Sequence, residues 1–520
     1  MLEAKNNFMG LAEIFQDGMV LQRRKPIAFF GESENAQHIR ASINGKQVFE
    51  GDISEGKYHF TIVQQEAAED VSIVFQNAEG AKFTLDNVDI GEVWVAGGQS
   101  NMEFPLLCER NGEAEIDASN DTHLRYYEVG KYAFEGERAE KLKDDSRWNN
   151  WRRFVPEECT HFSAVATYFA KKLRKELNVP VGIVSCCWGG TIITAWMDDA
   201  ILRAEDDVKD CVLSYERMME GMDLDAYYKR DREIRAFMGT EESTIGSEMM
   251  MKNEVTEPMR ISPEELKKLM SMSQTTGPND KNRPAGLYLN MLSKITGFST
   301  RGVIWYQGES DDFRAPLYGK LFTKLIECWR RDWKEELPFV FVQVAPWQEW
   351  MGQNGQNYPE LRAQQQAVED CVPGTYMASI MDAGSQYDIH PKVKGPVGER
   401  LALLALAEIY HIELAYAHAP RIAKVFREGQ IIRISFDYAE DGLYSEGPID
   451  DLFSLIQNEQ RIPVNAEIQG NTILLSCSDL VDGEAMLSFA YEPFLVMNLF
   501  NQGGLPARPT KPFKVENLVS

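Results

Sequence analysis

Ser100 lies in a short run of residues whose types and spacing could support nucleophilic catalysis. The run Gly97–Met102 (GGQSNM) directly follows the apolar stretch EVWVA, which predicts a buried strand. Glycines at such a strand end let the backbone turn tightly and let a substrate approach closely. A serine that opens the next helix also lies at the positive helix N-terminus, which favours developing negative charge. The alternative interpretation is a simple turn whose serine caps that helix.

Three further polar segments come after predicted strands and therefore belong at the same edge of the predicted sheet. In an open parallel sheet, ligands bind at the carboxyl ends of the strands. Ester hydrolysis by a serine requires a base, a group that orients the base, and donors for the oxyanion. The three segments are WGGT (188–191), QGES (307–310) and DIHP (388–391). The last of them precedes the last predicted helix of this series, and Pro391 suits the start of that helix.

These segments together predict a serine esterase site. Ser100 is the candidate nucleophile, and His390 is the candidate base and acid. Asp388 is the candidate group that orients the imidazole ring. The predicted oxyanion donors are the backbone N–H groups of Ser100 and of Gly189 or Gly190, together with the side-chain amide of Gln307.

More than one residue in the sequence could orient His390. Asp388 is favoured because a loop can fold a near neighbour onto the ring. Asp382, at the end of the preceding strand, is a rival, and a backbone carbonyl is a third choice. Glu309 is interpreted as a structural acid that accepts hydrogen bonds from loop amides. Three tryptophans beside the motifs could line a sugar site or pack in the core: Trp188, Trp196 and Trp305.

The surrounding sequence predicts the elements that hold these segments. Short β segments at roughly ten-residue spacing predict a β-sandwich-like domain over residues 1–90. Over residues 91–415, apolar strands alternate with helices, which is typical of an α/β fold with a parallel sheet of about five strands and helices on both faces. A methionine-rich helical insertion is predicted at about 200–285, with runs such as SPEELKKLMSM. Short strands return over residues 416–520 and predict a C-terminal β domain.

Composition narrows the classes of function. The 520 residues carry 54 basic and 80 acidic side chains, a net charge of −26. An anionic surface repels nucleic-acid phosphates and anionic membranes, so we expect neither partner. The N-terminus lacks the basic start and apolar run of a signal peptide, which predicts a cytoplasmic protein. A protein whose signal had been removed would be secreted or periplasmic.

Motifs for several other chemistries are missing from the sequence. It contains no phosphate-binding loop, no His-Glu-x-x-His and no Gly-x-Gly-x-x-Gly after the first strand of the predicted core. It also lacks a Gly-x-Ser-x-Gly nucleophile elbow. The eight cysteines are irregularly spaced and form no Cys-x-x-Cys pair, which indicates free thiols. We therefore predict that the reaction needs no metal and no organic cofactor.

Longer stretches around these motifs resemble the sialate O-acetylesterase family of the SGNH-hydrolase superfamily and its acetylxylan esterase relatives. The resemblance extends over nearly the whole chain and is carried by DGMVLQ, GEVWVAGGQSNMEFPL, WGGTIITAWM, RPAGLYLNML, RGVIWYQGESD, DIHPKVKGPVGERLALL and NLFNQGGLPARP. It implies a flavodoxin-like hydrolase core flanked by β regions. It also implies that Ser100 is the nucleophile, His390 the base, and Gly189 and Gln307 parts of the oxyanion hole. The superfamily often has Asp-x-x-His, whereas this chain has Asp388-x-His390.

On this basis we predict an esterase that removes O-acetyl groups from a carbohydrate through an acetyl-enzyme intermediate. The resemblance favours O-acetylated sialic acid, with acetylated xylan or other plant glycans as the alternative. A non-catalytic glycan-binding protein is the alternative from a different class, and the joint presence of Ser100, His390 and Gln307 argues against it. Because sialic acid is anionic, the net charge of −26 requires either a local basic pocket or a neutral substrate.

Overall fold

The computed structural model describes residues 7–137, 147–238, 251–258, 264 and 276–515. The chain forms two compact units. The first contains Met1–Lys252, Ser271–Gln307 and Thr323–Phe339, and the second contains Asn253–Met270, Gly308–Phe322 and Val340–Ser520. The predicted helical run SPEELKKLMSM lies, apart from one residue, outside the described part of the chain.

Strands dominate both ends of the chain and alternate with helices in its middle. The strands are β1 Val20–Gln22, β2 Ile27–Ser33, β3 Gln37–Ile43, β4 Lys46–Ile53, β5 Gly56–Ile62, β6 Ala68–Asn77, β7 Lys82–Gly98, β8 Asp121–Glu128, β9 Trp151–Phe154, β10 Val181–Cys187, β11 Gly302–Tyr306, β12 Phe339–Val342, β13 Glu349–Trp350, β14 Gln353–Asn354, β15 Thr375–Ala378, β16 Arg421–Glu428, β17 Ile431–Asp437, β18 Leu443–Ser445, β19 Phe453–Gln457, β20 Gln460–Ile462, β21 Asn465–Gln469, β22 Thr472–Ser476, β23 Ala485–Phe489, β24 Leu499–Asn501 and β25 Thr510–Val515. The α-helices are α1 Ser100–Glu103, α2 Gly112–Asp117, α3 Ala164–Leu177, α4 Asp199–Leu202, α5 Asp206–Met219, α6 Leu224–Met238, α7 Gly286–Asn290, α8 Ala315–Trp333, α9 Tyr358–Cys371 and α10 Gly395–Glu408.

Strand β7 organises the first unit. Its second half pairs in parallel with β10 on one side and with β11 on the other. Strand β10 also pairs in parallel with β8. Every residue of β10 and β11 is buried, as expected for parallel strands that are covered on both faces. The apolar runs VGIVSCC and GVIWY therefore form strands as predicted, and they place WGGT and QGES directly after them.

The first half of β7 belongs to the N-terminal β region. It pairs antiparallel with β6, which in turn pairs antiparallel with β3. Buried Phe83 and Leu85 alternate with less buried neighbours there, whereas residues 88–98 are buried without interruption. The same strand thus changes from burial on one face to burial on both. It passes without a break through residue 90, where the sequence analysis places the first domain boundary.

The second unit has an α/β part and a C-terminal β part. Helices α9 and α10 both contact β15. The C-terminal strands form two four-stranded sheets, in the orders β16-β17-β22-β21 and β20-β19-β23-β25. Their alternating side chains bury a continuous apolar cluster that includes Ile434, Leu455 and Leu487. The predicted strands RIAKVF, QIIRISF, TILLSC and EAMLSFAY are confirmed.

The prediction for the start of the last helix of the core is wrong. Helix α10 begins at Gly395, and the proline in its first turn is Pro396. Pro391 lies in the preceding loop, where Asp388 already accepts a hydrogen bond from the backbone N–H of His390. This side-chain hydrogen bond stabilises a turn in place of helix.

Two further observations concern the helices and the cysteines. None of the helices within the described ranges is long and apolar enough to cross a membrane. All eight cysteines are described and carry free thiols. Six of them are buried, whereas Cys211 is half-buried and Cys371 is exposed.

Candidate active site

Ser100 is the first residue of α1, immediately after the end of β7. Gly98 forms the bend with a φ of 133°, and a Cβ at that position would lie 2.1 Å from the Tyr306 carbonyl oxygen. The Gln99 N–H donates to the same carbonyl at 3.0 Å. Only glycine fits this close approach of β7 to β11. Because α1 has a single turn, its dipole is smaller than that of a longer helix. It therefore favours negative charge at Ser100 less than predicted.

The WGGT segment after β10 lies beside Ser100. A methyl group built on Gly189 would lie 3.2 Å from Ser100 Cβ, so the two residues are in close contact. The neighbouring Gly190 is exposed, with a φ of 68°. The structure therefore brings together two motifs that are 89 residues apart in the sequence. Trp188 is half-buried, whereas Trp196 and Trp305 are fully buried and pack in the core.

Charged side chains hold both backbone groups of Gly189. Its N–H donates to Glu103 Oε2 at 2.5 Å, and its carbonyl accepts from Lys281 Nζ at 2.6 Å. Glu103 also forms an ion pair with Lys131. Burial opposes the charge on Lys131, but the carboxylates of Glu103 and Glu128 raise the pKa of this amine overall. For Lys281, burial is the dominant effect and lowers the pKa.

Asn282 fixes the next residues of the same loop. Its side-chain amide donates to the Gly190 carbonyl at 3.1 Å, and its carbonyl oxygen accepts from the Ile192 N–H at 2.9 Å. Neither Glu103 nor the Lys281–Asn282 pair is among the residues predicted from the sequence. Glu103 lies one helical turn after Ser100, so this helical spacing could have identified Glu103 as a neighbour of the nucleophile. The Lys281–Asn282 pair directly precedes RPAGLYLNML, one of the stretches that carry the family resemblance.

Gln307 contacts the same loop from the end of β11. Its side chain is fully buried, and its Nε2 donates to the Thr191 carbonyl at 3.2 Å. The amide plane is therefore oriented by the WGGT segment. Within the first unit, Ser100 and Gln307 thus both contact the WGGT segment, Ser100 by packing against Gly189 and Gln307 by its hydrogen bond to Thr191.

His390 and Asp388 lie in the loop between β15 and α10 of the second unit. Asp388 is buried. One of its oxygens accepts from the His390 backbone N–H at 2.8 Å, and the other forms an ion pair with Lys392 at 2.8 Å. The rival Asp382 accepts both arms of the Arg400 guanidinium, at 2.6 and 2.7 Å. Asp388 is thus tied to the loop of His390, and Asp382 is engaged by an arginine.

The surroundings of His390 favour its neutral form. The ring is half-buried and lies edge-on to Trp350, with 5.6 Å between the ring centroids. Burial, together with the charges of Lys394 and Lys392, lowers the pKa of His390 to about 3. At neutral pH the imidazole is therefore uncharged, which is the form from which a general base accepts a proton.

One carboxylate–histidine group in the described residues has the spacing of metal ligands: Asp70, Asp89 and His123. Asp89 is fully buried, and it lies 2.9 Å from the Arg125 guanidinium and 2.9 Å from the His123 ring. The protein's own cation already balances this carboxylate. The group is therefore better explained as a structural ion pair.

Comparisons with known proteins agree with the motifs. A family model described as "Carbohydrate esterase, sialic acid-specific acetylesterase" matches residues 245–405. The sialate O-acetylesterase of Mus musculus is 29% identical over 353 residues, which cover 63% of this chain and 58% of that protein. The sialate O-acetylesterase of Rattus norvegicus is 26% identical over 389 residues, covering 70% and 65%. The predicted resemblance to the sialate O-acetylesterase family is confirmed.

The likeness to one solved structure extends along nearly the whole chain. A carbohydrate acetylesterase from Xanthomonas citri superposes with a TM-score of 0.73 at 27% identity, covering 98% of this chain and 99% of that one. By contrast, this chain spans less than two thirds of the length of the two mammalian sialate O-acetylesterases. The superposition with the Xanthomonas citri structure confirms the α/β class of the fold.

Proposed function

We propose that this protein is a carbohydrate O-acetylesterase in which Ser100 is the nucleophile. The observation that carries the proposal is the contact of Gly189 with Ser100, since it brings the backbone of the WGGT segment against the candidate nucleophile. Oxyanion stabilisation requires hydrogen-bond donors next to the attacked carbonyl. The whole-length likeness to the Xanthomonas citri carbohydrate acetylesterase supports the same conclusion.

In the proposed reaction, His390 accepts the Ser100 proton while Ser100 Oγ attacks the acetyl carbonyl. Collapse of the tetrahedral intermediate breaks the ester C–O bond, and His390 returns the proton to the sugar oxygen. Water then attacks the acetyl-enzyme, with His390 again taking a proton, and acetate leaves. Asp388 fixes the loop that carries His390 and is the group that we assign to orient it. Asp382 is less suited, since a two-armed contact with Arg400 of α10 holds it, whereas the contacts of Asp388 lie within the loop of His390.

For the fold, we propose a flavodoxin-like SGNH core. The parallel pairing of β8, β10, β7 and β11 supports it, because polar motifs follow the carboxyl ends of β7, β10 and β11. Domains over residues 1–90, 91–415 and 416–520, with an insertion at about 200–285, remain our proposed division. Helices α5 and α6 support a helical insertion.

O-acetylated sialic acid is the substrate that we favour. Lys281 places an ammonium group 2.6 Å from the Gly189 carbonyl, in the loop that contacts Ser100. A cation at this point supports an anionic sugar despite the net charge of −26. Acetylated xylan is the alternative substrate, and a non-catalytic glycan-binding protein is the alternative function.

The test compares acetate release from O-acetyl sialic acid, acetylated xylo-oligosaccharides and acetylated manno-oligosaccharides. We expect the sialic acid ester to be hydrolysed fastest, and both Ser100→Ala and His390→Ala to lose activity by orders of magnitude. Ser54→Ala and His59→Ala, at exposed positions in and beside β5, are the matched controls. Equal, slow release from all three substrates would refute the substrate assignment. Near-full activity of Ser100→Ala would refute the mechanism.

A further inference from the structure

Glu103 has no part in the reaction proposed above, yet it contacts the loop that lies against Ser100. Its Oε2 accepts the Gly189 N–H at 2.5 Å and would lie 3.3 Å from a methyl group at Gly189. We propose that Glu103 is a positioning residue that holds the 188–192 loop against Ser100 and leaves the Gly190 N–H as the oxyanion donor of that loop. This inference rests on the proposed function.

The hydrogen bonds of the loop distinguish its two glycines. The Gly189 N–H is already donated to a carboxylate, which is a strong, charge-assisted interaction. Gly190 is exposed, and its N–H has no hydrogen-bond partner among the described residues. Its carbonyl is held by Asn282. An open N–H on a fixed peptide is the arrangement that an oxyanion donor requires.

The charges around Gly189 keep Glu103 compatible with an anionic intermediate. A lone carboxylate this near to Ser100 would repel the oxyanion. Lys131 pairs with Glu103, and Lys281 binds the carbonyl of the same glycine. The Gly189 residue is thus held by an acid at its N–H and by a base at its carbonyl. This arrangement fixes the orientation of the loop and offsets the charge of the acid.

Glu103 is also firmly connected to the nucleophile. Ser100 and Glu103 are the first and last residues of α1, so they face the same side of one helical turn. The end of that turn is anchored by Ser163, whose hydroxyl donates to the Met102 carbonyl at 2.5 Å. The Ala164 N–H donates to the Phe104 carbonyl at 2.8 Å. Glu103 therefore sets the spacing between Ser100 and the loop.

The test uses three variants of Glu103 in the full-length protein. Glu103→Ala loses the contact, Glu103→Asp is one methylene too short, and Glu103→Gln keeps an oxygen that accepts the Gly189 N–H. We expect kcat on an aryl acetate to fall roughly 10- to 100-fold in the Ala and Asp variants, because small displacements of a donor have effects of this size. KM should change less than about threefold, and Gln should recover most of kcat.

A second readout separates positioning from general destabilisation. The rate at which a fluorophosphonate labels Ser100 should fall in parallel with kcat, since the adduct needs the same oxyanion donors. Glu115→Ala is the matched control, because Glu115 of α2 forms a similarly half-buried ion pair with Lys171 of α3, and this variant should leave kcat unchanged. If Glu103→Ala does not fold, the comparison of Asp with Gln carries the test.

Three results would overturn the inference: wild-type or higher kcat in Glu103→Ala, a loss confined to KM, or a Gln variant no better than the Asp variant. Ser100→Ala is measured beside them. An active Ser100→Ala would refute the proposed function itself. An inactive Ser100→Ala beside a fully active Glu103→Ala would refute only the role of Glu103.

Discussion

Single residues around Ser100 differ sharply in what their side chains contribute. The proposed oxyanion donor of the 188–192 loop is a backbone N–H, which ordinary substitution cannot remove. The proposed donor of Gln307 is its side-chain amide, which is fully buried and hydrogen-bonded to the Thr191 carbonyl. It is therefore the predicted oxyanion donor that mutagenesis can test most simply.

We expect Gln307→Ala to lower kcat by roughly 10²–10³, the usual loss for one oxyanion donor. Steady-state kinetics on an aryl acetate provide the measurement. Gln430→Ala, in the turn between β16 and β17, removes an exposed glutamine that also donates to a carbonyl, and it should behave like the wild type. Unchanged turnover of Gln307→Ala would remove this residue from the site.

The pKa of His390 gives a prediction for the effect of pH. Burial and two lysines lower this pKa to about 3. The ring therefore remains neutral at pH values well below about 6.5, the ordinary pKa of a histidine. As pH falls, kcat/KM should therefore stay high through pH 6.5 and decline only at more acidic pH. Lys394→Met removes one positive charge and should move the acid limb to higher pH.

The control for this pH profile is Lys424→Met, an exposed lysine of β16 in the same unit. Its acid limb should coincide with that of the wild type. A wild-type limb centred near pH 6.5, or a Lys394→Met limb that does not move, would contradict the assigned environment of His390.

The residues that could be predicted from the sequence are those with a local signal. Ser100, Gly189, Gln307 and His390 each stand in a compact motif next to an apolar strand or helix. Lys281 contacts Gly189, which lies 92 positions away in the chain. Such a contact cannot be predicted from hydrophobic periodicity. Which group accepts the Gly189 N–H is likewise a matter of tertiary structure.

Among the elements, the bend between β7 and α1 has the strictest requirement. Gly98 combines a φ of 133° with an approach that would leave 2.1 Å between a Cβ and the Tyr306 carbonyl oxygen. Both strain and backbone clash follow from any side chain at this position. The position of Ser100 depends on this bend.

We expect Gly98→Ala to lower the free energy of unfolding by about 3 kcal/mol or more, and to lower activity as well. Gly45→Ala is the matched control. Gly45 also has a positive φ, of 79°, but nothing lies within 4 Å of its added Cβ, so the loss should be about 1 kcal/mol. Urea unfolding provides the measurement. Equal losses in the two variants would show that the close approach to β11 does not matter.

The central strands could be predicted because their apolar runs are buried on both faces, whereas the flanking strands are short segments along which buried and less buried side chains alternate. The boundaries of domains and helices were harder to predict from the sequence. The pattern of alternation changes inside β7, so one strand serves both the N-terminal β region and the central sheet. Pro391 is a valid helix-start signal, yet the hydrogen bond within the Asp388–His390 turn delays the helix to Gly395. Local hydrogen bonds of this kind override propensity.

For the whole molecule, the net charge of −26 affects how an anionic substrate arrives. Salt screens charges that are farther apart than about 8–10 Å, whereas contacts inside the site are screened much less. Raising ionic strength from about 0.01 M to about 0.15 M should therefore raise kcat/KM for O-acetyl sialic acid, by a factor of roughly 2–5. A neutral aryl acetate should show no such change. A decrease in kcat/KM for the sialic acid ester would mean that positive charge near the site attracts the substrate more strongly than the net negative charge of the protein repels it.

The central claim is that Ser100 carries the acetyl group during turnover. Its most direct test is rapid acid quenching of the enzyme during hydrolysis of an aryl acetate, followed by intact-mass measurement and peptide mapping. We expect one added acetyl group, located on the peptide that contains Ser100 and absent from Ser100→Ala. An acetyl group on another residue, or one that persists in Ser100→Ala, would contradict the role of Ser100.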